Sequence, residues 1–168
     1  NPQMCEKRVI NNFFSALFHD LPEAVTRDII SPVKQATDDL PNIVKKIENE
    51  IVNKELVPLM EDFFVNEIID FTSDEFSNRI KDSDGKVVNV SWEDLNEKYN
   101  EEKYFPIDGR LVRIADHLSA LMEADISIKH GITSIHLQNG RDGLLNSYEQ
   151  NEIINGIDVY SLFNEIVS

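Results

Sequence analysis

The chain has 168 residues, with 31 Asp and Glu against 16 Lys and Arg, a net charge of −15 and a sequence pI near 4.5. That length fits one domain with its own core. The acidity disfavours a nucleic-acid polymer, which needs a basic face, and an anionic membrane surface, while it suits divalent cations.

Cys5 is the one cysteine, which excludes an internal disulfide and a Cys-based zinc site and fits a reducing cytoplasm. No apolar run approaches the roughly 18 to 20 residues of a membrane span, and residues 1–8 hold no apolar signal core.

In chain order, Ile10, Phe13, Phe14, Leu17 and Phe18 recur at helical spacing and predict a helix over 6–20 with that face buried. His19-Asp20 closes it and Leu21-Pro22 interrupts. Pro22 and Glu23 suit the first turn of a second, short helix to about Ile30, which Ser31-Pro32 ends. Ile43, Val44, Ile47 and Ile51 mark a helix over 41–53. Leu59, Phe63, Phe64, Ile68 and Phe71 mark another over 56–71, with Pro58 in its first turn.

Asp82-Ser83-Asp84-Gly85 is a turn signal, and the β-branched stretch 86–90 reads as one arm of a small hairpin. In an EF-hand register the first and twelfth positions would be Ile80 and Ser91, which excludes a calcium loop. Ser91 is placed to cap a helix starting at Trp92, and 99–106 reads as loop. The longest helix spans about 109–130 with Gly131 beyond its end. Gln138-Asn139-Gly140 and Arg141-Asp142-Gly143 read as glycine-rich turns, too short to cradle a phosphate. A last helix is expected over 155–167. The expected fold class is all-α, a single domain over 1–168 with at most a small β-hairpin near 86–91.

His19-Asp20 is the first chemical candidate, since an imidazole and a carboxylate both ligate catalytic divalent metals. Adjacent residues in a helix point about 100° apart, so they converge most easily at a helix end. The bland alternative for His19 is a helix C-terminal histidine bonded to carbonyls. Asp116 is the second candidate, amid Leu111, Ile114, Leu118 and Leu121, where a carboxylate needs a partner. Its bland alternative is an ion pair with Arg113. Glu23, one turn past the pair, suits a base acting on water, or is a plain helix N-terminal charge. Asp28 and Lys34 flank the Ser31-Pro32 break. Lys34 is placed to meet an anionic substrate, although a lone lysine is more often a solvated charge. His117 reads as structural or exposed.

The run from Leu17 to Lys34, with His19-Asp20, Glu23, Thr26-Arg27-Asp28 and Pro32-Val33-Lys34, together with Ala115-Asp116-His117-Leu118 through Ala124, resembles the HD-domain metal-dependent phosphohydrolases, in the 5'-deoxynucleotidase-like branch. The resemblance implies an HD-domain-like helical bundle. It implies one divalent metal ion (Mn, Co, Mg, Ni or Zn) on His19, Asp20 and Asp116, and hydrolysis of a nucleotide or related phosphomonoester. Glu23 would act on the attacking water, and Asp28 would lie beside the substrate.

The family's first metal histidine precedes the His-Asp pair, and no histidine precedes His19 here. The expectation is a chain that lacks the family's N-terminal helices or is a degenerate relative, active as the intact protein and inactive alone. The competing reading is a non-catalytic helical binding or scaffolding domain. The expected partner is a small phosphorylated molecule, with no nucleic-acid polymer and no membrane, and homo-oligomerisation is compatible with all of this.

Overall fold

The computed structural model describes residues 3–26 and 40–167, which divide into two compact units, Asn1–Ala16 with Phe76–Ser168, and Leu17–Glu75. Helices dominate both, and the strands are short antiparallel pairs.

The first unit begins with most of α1 (Glu6–Phe18). Its inward face is polar, contrary to the expected aromatic one. Arg8, Asn11 and Ser15 are fully buried, whereas Phe13 and Leu17 are 63% and 59% exposed and Ile10 and Phe14 are exposed too. Both stripes have helical spacing, so periodicity alone could not choose between them. Arg8 and Asn11 go inside because they find partners there, Asn11 Nδ2 donating to the Pro106 carbonyl at 3.1 Å, while the Ser15 hydroxyl is buried without a hydrogen-bond partner among the described residues. Arg8 grips Asp108 with two parallel bonds, Nε to Oδ2 at 2.7 Å and Nη2 to Oδ1 at 2.6 Å. Asn12 donates to Asp108 Oδ2 and accepts from the Asp108 N–H. A buried ion pair needs such full satisfaction to be tolerated.

β1 (Asn78–Lys81) sits between β2 (Val87–Asn89) and β3 (Ile107–Asp108), antiparallel to both, with Ile80 opposite Val88 and Asn78 opposite Asp108. The β1–β2 connection is the expected Asp82–Gly85 turn. Asp82 Oδ1 accepts from the N–H groups of Asp84 and Lys86, and Gly85 takes φ +76°. That carboxylate is thus a turn acceptor. Ser91 caps α5 (Trp92–Glu97) as expected, accepting from the Asp94 N–H.

The long helix α6 (Gly109–Lys129) follows β3 directly. A Cβ on Gly109 would meet the Ser77 carbonyl oxygen within 2.3 Å, so only glycine lets the helix start here. Gly131 ends it at φ +93°. The residues expected to form two glycine-rich turns lie instead inside a helix, α7 (Ile135–Leu145), where Gly140 and Gly143 have open space around them. Arg141 explains why the segment stays helical. Its Nε donates to Asp125 of α6 at 2.8 Å, and Lys129 reaches the same carboxylate at 2.9 Å.

β4 (Ile153–Ile154) and β5 (Ile157–Asp158) form a second hairpin, absent from the sequence expectation, around Asn155-Gly156, both at positive φ. Asn-Gly between apolar residues is the preferred sequence for such a two-residue loop. The last helix, α8 (Val159–Val167), therefore starts four residues later than expected. Val159 and Phe163 from α8 close the core against Ile114 and Leu121 of α6.

The second unit contains α2 (Glu23–Thr26), α3 (Leu40–Ile51) and α4 (Asp62–Thr72). A π turn over Val52–Leu56 and a 3-10 turn over Val57–Leu59 carrying Pro58 separate α3 from α4. Met60 is extended, which breaks the single helix expected over 56–71. Val44, Val52 and Phe71 are buried, whereas Leu59 and Phe63, assigned inward by periodicity, are 82% and 83% exposed. Among the described residues no helix is long and apolar enough to cross a membrane.

Candidate functional site

In the second unit, α1 ends at Phe18 and the chain turns tightly into α2. The N–H of Leu21 donates to the Phe18 carbonyl, that of Glu23 to Asp20, and that of Ala24 to Leu21, all within 3.2 Å. This is the helix end that an adjacent His-Asp pair needs if both side chains are to approach one point. The His19 Nε2 and an Asp20 carboxylate oxygen lie 3.2 Å apart, with His19 mostly covered and Asp20 largely in solvent. The two atoms lie within ion-pair distance, without the alignment of a formed hydrogen bond. Glu23 is half-buried at the first position of α2. Asp28 and Lys34 lie outside the described residues.

In the first unit, α6 carries Asp116 half-buried in its second turn. Arg113, its expected ion-pair partner three residues back, lies over the Phe76 ring at 4.7 Å. Glu123, seven residues on, is exposed.

His117 points elsewhere, as expected. Its Nδ1 is 2.7 Å from the Tyr148 hydroxyl. Desolvation lowers the His117 pKa below its ordinary value, partly offset by the Asp116 charge, and desolvation raises that of Tyr148. Both directions favour the neutral pair, a phenol donating to an imidazole nitrogen. The contact was not legible from the sequence, since 31 residues separate the partners. His130 adopts the arrangement considered as the bland alternative for His19, its Nδ1 beside the Ile126 carbonyl at 2.8 Å. His136 is exposed.

Set against known proteins, the chain matches the HD domain family over residues 1–144, which includes His19-Asp20, Glu23 and Asp116. It belongs to that family. No curated protein and no solved structure matches it.

The His19-Asp20 pair offers donors that suit a divalent cation. An imidazole nitrogen and a carboxylate are borderline-to-hard donors, unsuited to thiophilic ions.

Proposed function

We propose that the chain carries the active centre of a metal-dependent phosphohydrolase, with His19, Asp20 and Asp116 holding one divalent cation. The observation that carries this reading is the His-Asp pair at a helix end with Glu23 one tight turn beyond, in a chain of the HD family. Bound there, a divalent cation supplies Lewis acidity to a phosphoryl oxygen and lowers the pKa of a nearby water.

The chain's own residues do the rest. Glu23 takes the proton of the attacking water as its oxygen bonds to phosphorus. The phosphorus–oxygen bond to the alcohol breaks, and the proton taken up by Glu23 passes to the departing oxygen. Asp28 contacts the sugar or its water, and Lys34 meets the phosphate. The substrate in this reading is a small phosphomonoester of the nucleotide class, handled as by 5'-deoxynucleotidases, in the cytoplasm.

The test compares His19→Ala and Glu23→Ala by metal occupancy and by the initial rate of phosphate release from deoxynucleoside monophosphates. His19→Ala should lose metal and turnover together. Glu23→Ala should keep its metal and lose roughly 10² to 10⁴ in rate. Normal turnover in Glu23→Ala removes it as the base, and loss of metal makes it a ligand. A metal-loaded wild-type chain that releases no phosphate from any such substrate supports the binding-domain reading instead.

A further inference from the structure

The family match ends at residue 144, and residues C-terminal to that point also pack against α6. Three observations converge. The Tyr148 hydroxyl sits 2.7 Å from His117, the residue next to Asp116. The Tyr148 ring meets Phe163 edge-on at 5.1 Å, and Phe163 is buried against the α6 residues Ile114 and Leu121. At the start of α6, the Asn155 side-chain amide donates to Asn78 Oδ1 at 3.0 Å and to Asp108 Oδ1 at 3.4 Å. Asn78 Oδ1 in turn accepts from the Arg110 N–H at 3.2 Å.

The segment 145–167 thus ties α6 at two places, its first residues and His117, and Asp116 lies between them. A helix fixed at one point can still rotate about its axis or slide. Fixed at two points seven to nine residues apart in the chain (Asp108 and Arg110 against His117), it can do neither. Rotation by a few tens of degrees would swing a carboxylate by ångströms, which is more than metal coordination tolerates.

We infer that Tyr148 is a positioning residue for the candidate centre, acting through its hydroxyl on His117 to set the orientation of α6 and so the direction of Asp116. This rests on the reading of Asp116 as a metal ligand. The hydroxyl is the informative group because the ring already has a packing role on Phe163. A purely structural tyrosine would need only the ring.

The experiment uses the full chain, Mn²⁺ as the probe, and two variants. Tyr148→Phe removes the hydroxyl and keeps the ring. Leu162→Ala is the control, since Leu162 packs on the same core and makes no contact through that hydroxyl. Mn²⁺ affinity and metal-free Tm are measured for all three proteins. Tyr148→Phe should bind Mn²⁺ about tenfold more weakly, the low end for losing an outer partner of a metal site, with little change in metal-free Tm. Leu162→Ala should lower the Tm and bind as the wild type does. Imidazole nitrogen shifts provide a readout independent of metal. His117 should carry its proton on Nε2 in the wild type and lose that preference in Tyr148→Phe.

Wild-type binding fully retained by Tyr148→Phe overturns the inference alone. So does weakening in Leu162→Ala as large as in Tyr148→Phe, which would make the effect one of stability, and so does an unchanged His117 tautomer. A wild-type chain that binds no Mn²⁺ overturns the metal reading and this inference with it.

Discussion

Arg8 and Asp108 form a fully buried ion pair across 100 residues of chain, with Asn12, Asn96 and Asn155 completing its hydrogen bonds. Removing one partner strands the other charge where water cannot reach it. Arg8→Met should therefore cost about 3–5 kcal/mol in urea unfolding. Asp108→Asn should cost less, because an amide remains a bonding partner for the neighbouring asparagines. The double variant should cost less than the sum, since the second change relieves the charge the first exposed. An additive cycle would show the two groups to be independent. This network also marks the limit of sequence reading at a single position. Arg8, Asn11 and Ser15 share a helical stripe as regular as the apolar one, and hydrophobicity favours the wrong stripe whenever the polar one has distant partners. The helix end at His19-Asp20 was legible because Leu21-Pro22 supplies it, whichever way the helix turns.

Most helices were legible as elements, and the errors have causes in local chemistry. Helices α5 and α6 were bounded well because Ser91 and Gly131 are strong caps. The start of α4 was placed six residues early, at 56, because apolar spacing continued through Pro58 while the backbone passed through a π turn, a 3-10 turn and an extended Met60. The Asn155-Gly156 hairpin was absorbed into a helix although its sequence is a hairpin signal. The opposite error befell Gly140 and Gly143, read as turns and found in a helix. Glycines at these places should respond differently to alanine. Gly140 has open space and a helical setting, so Gly140→Ala should stabilise by about 0.5–1 kcal/mol. A Cβ on Gly109 would collide with the Ser77 backbone, so Gly109→Ala should destabilise by about 1–3 kcal/mol or more as strand and helix are forced apart. Denaturant midpoints at constant slope separate the two. A stabilised Gly109→Ala would mean that the β1–α6 approach yields easily.

For the whole molecule, 31 acidic and 16 basic residues leave a repulsive field that weakens as pH falls and carboxylates protonate. The exposed pairs, such as Lys98 with Asp94 and Lys103 with Glu101, contribute little against it. Asp125 runs against that trend. The Lys129 ammonium first, then the Arg141 guanidinium, hold its carboxyl below the ordinary 3.8 while joining α6 to α7. A group whose folded pKa is depressed stabilises the fold above its unfolded pKa, and that stabilisation is lost as pH falls through the folded value. The net charge acts on the wild type and on Asp125→Asn almost alike, so the difference between their Tm values isolates this one group. That difference should be positive and flat well above 3.8, shrink as pH drops below it, and vanish once Asp125 is protonated in the folded chain. Thermal scans of both proteins from pH 7 to pH 2.5 measure it directly. A difference that stayed constant across the acid range would show that Asp125 holds the two helices by hydrogen bonds alone, with its charge contributing nothing.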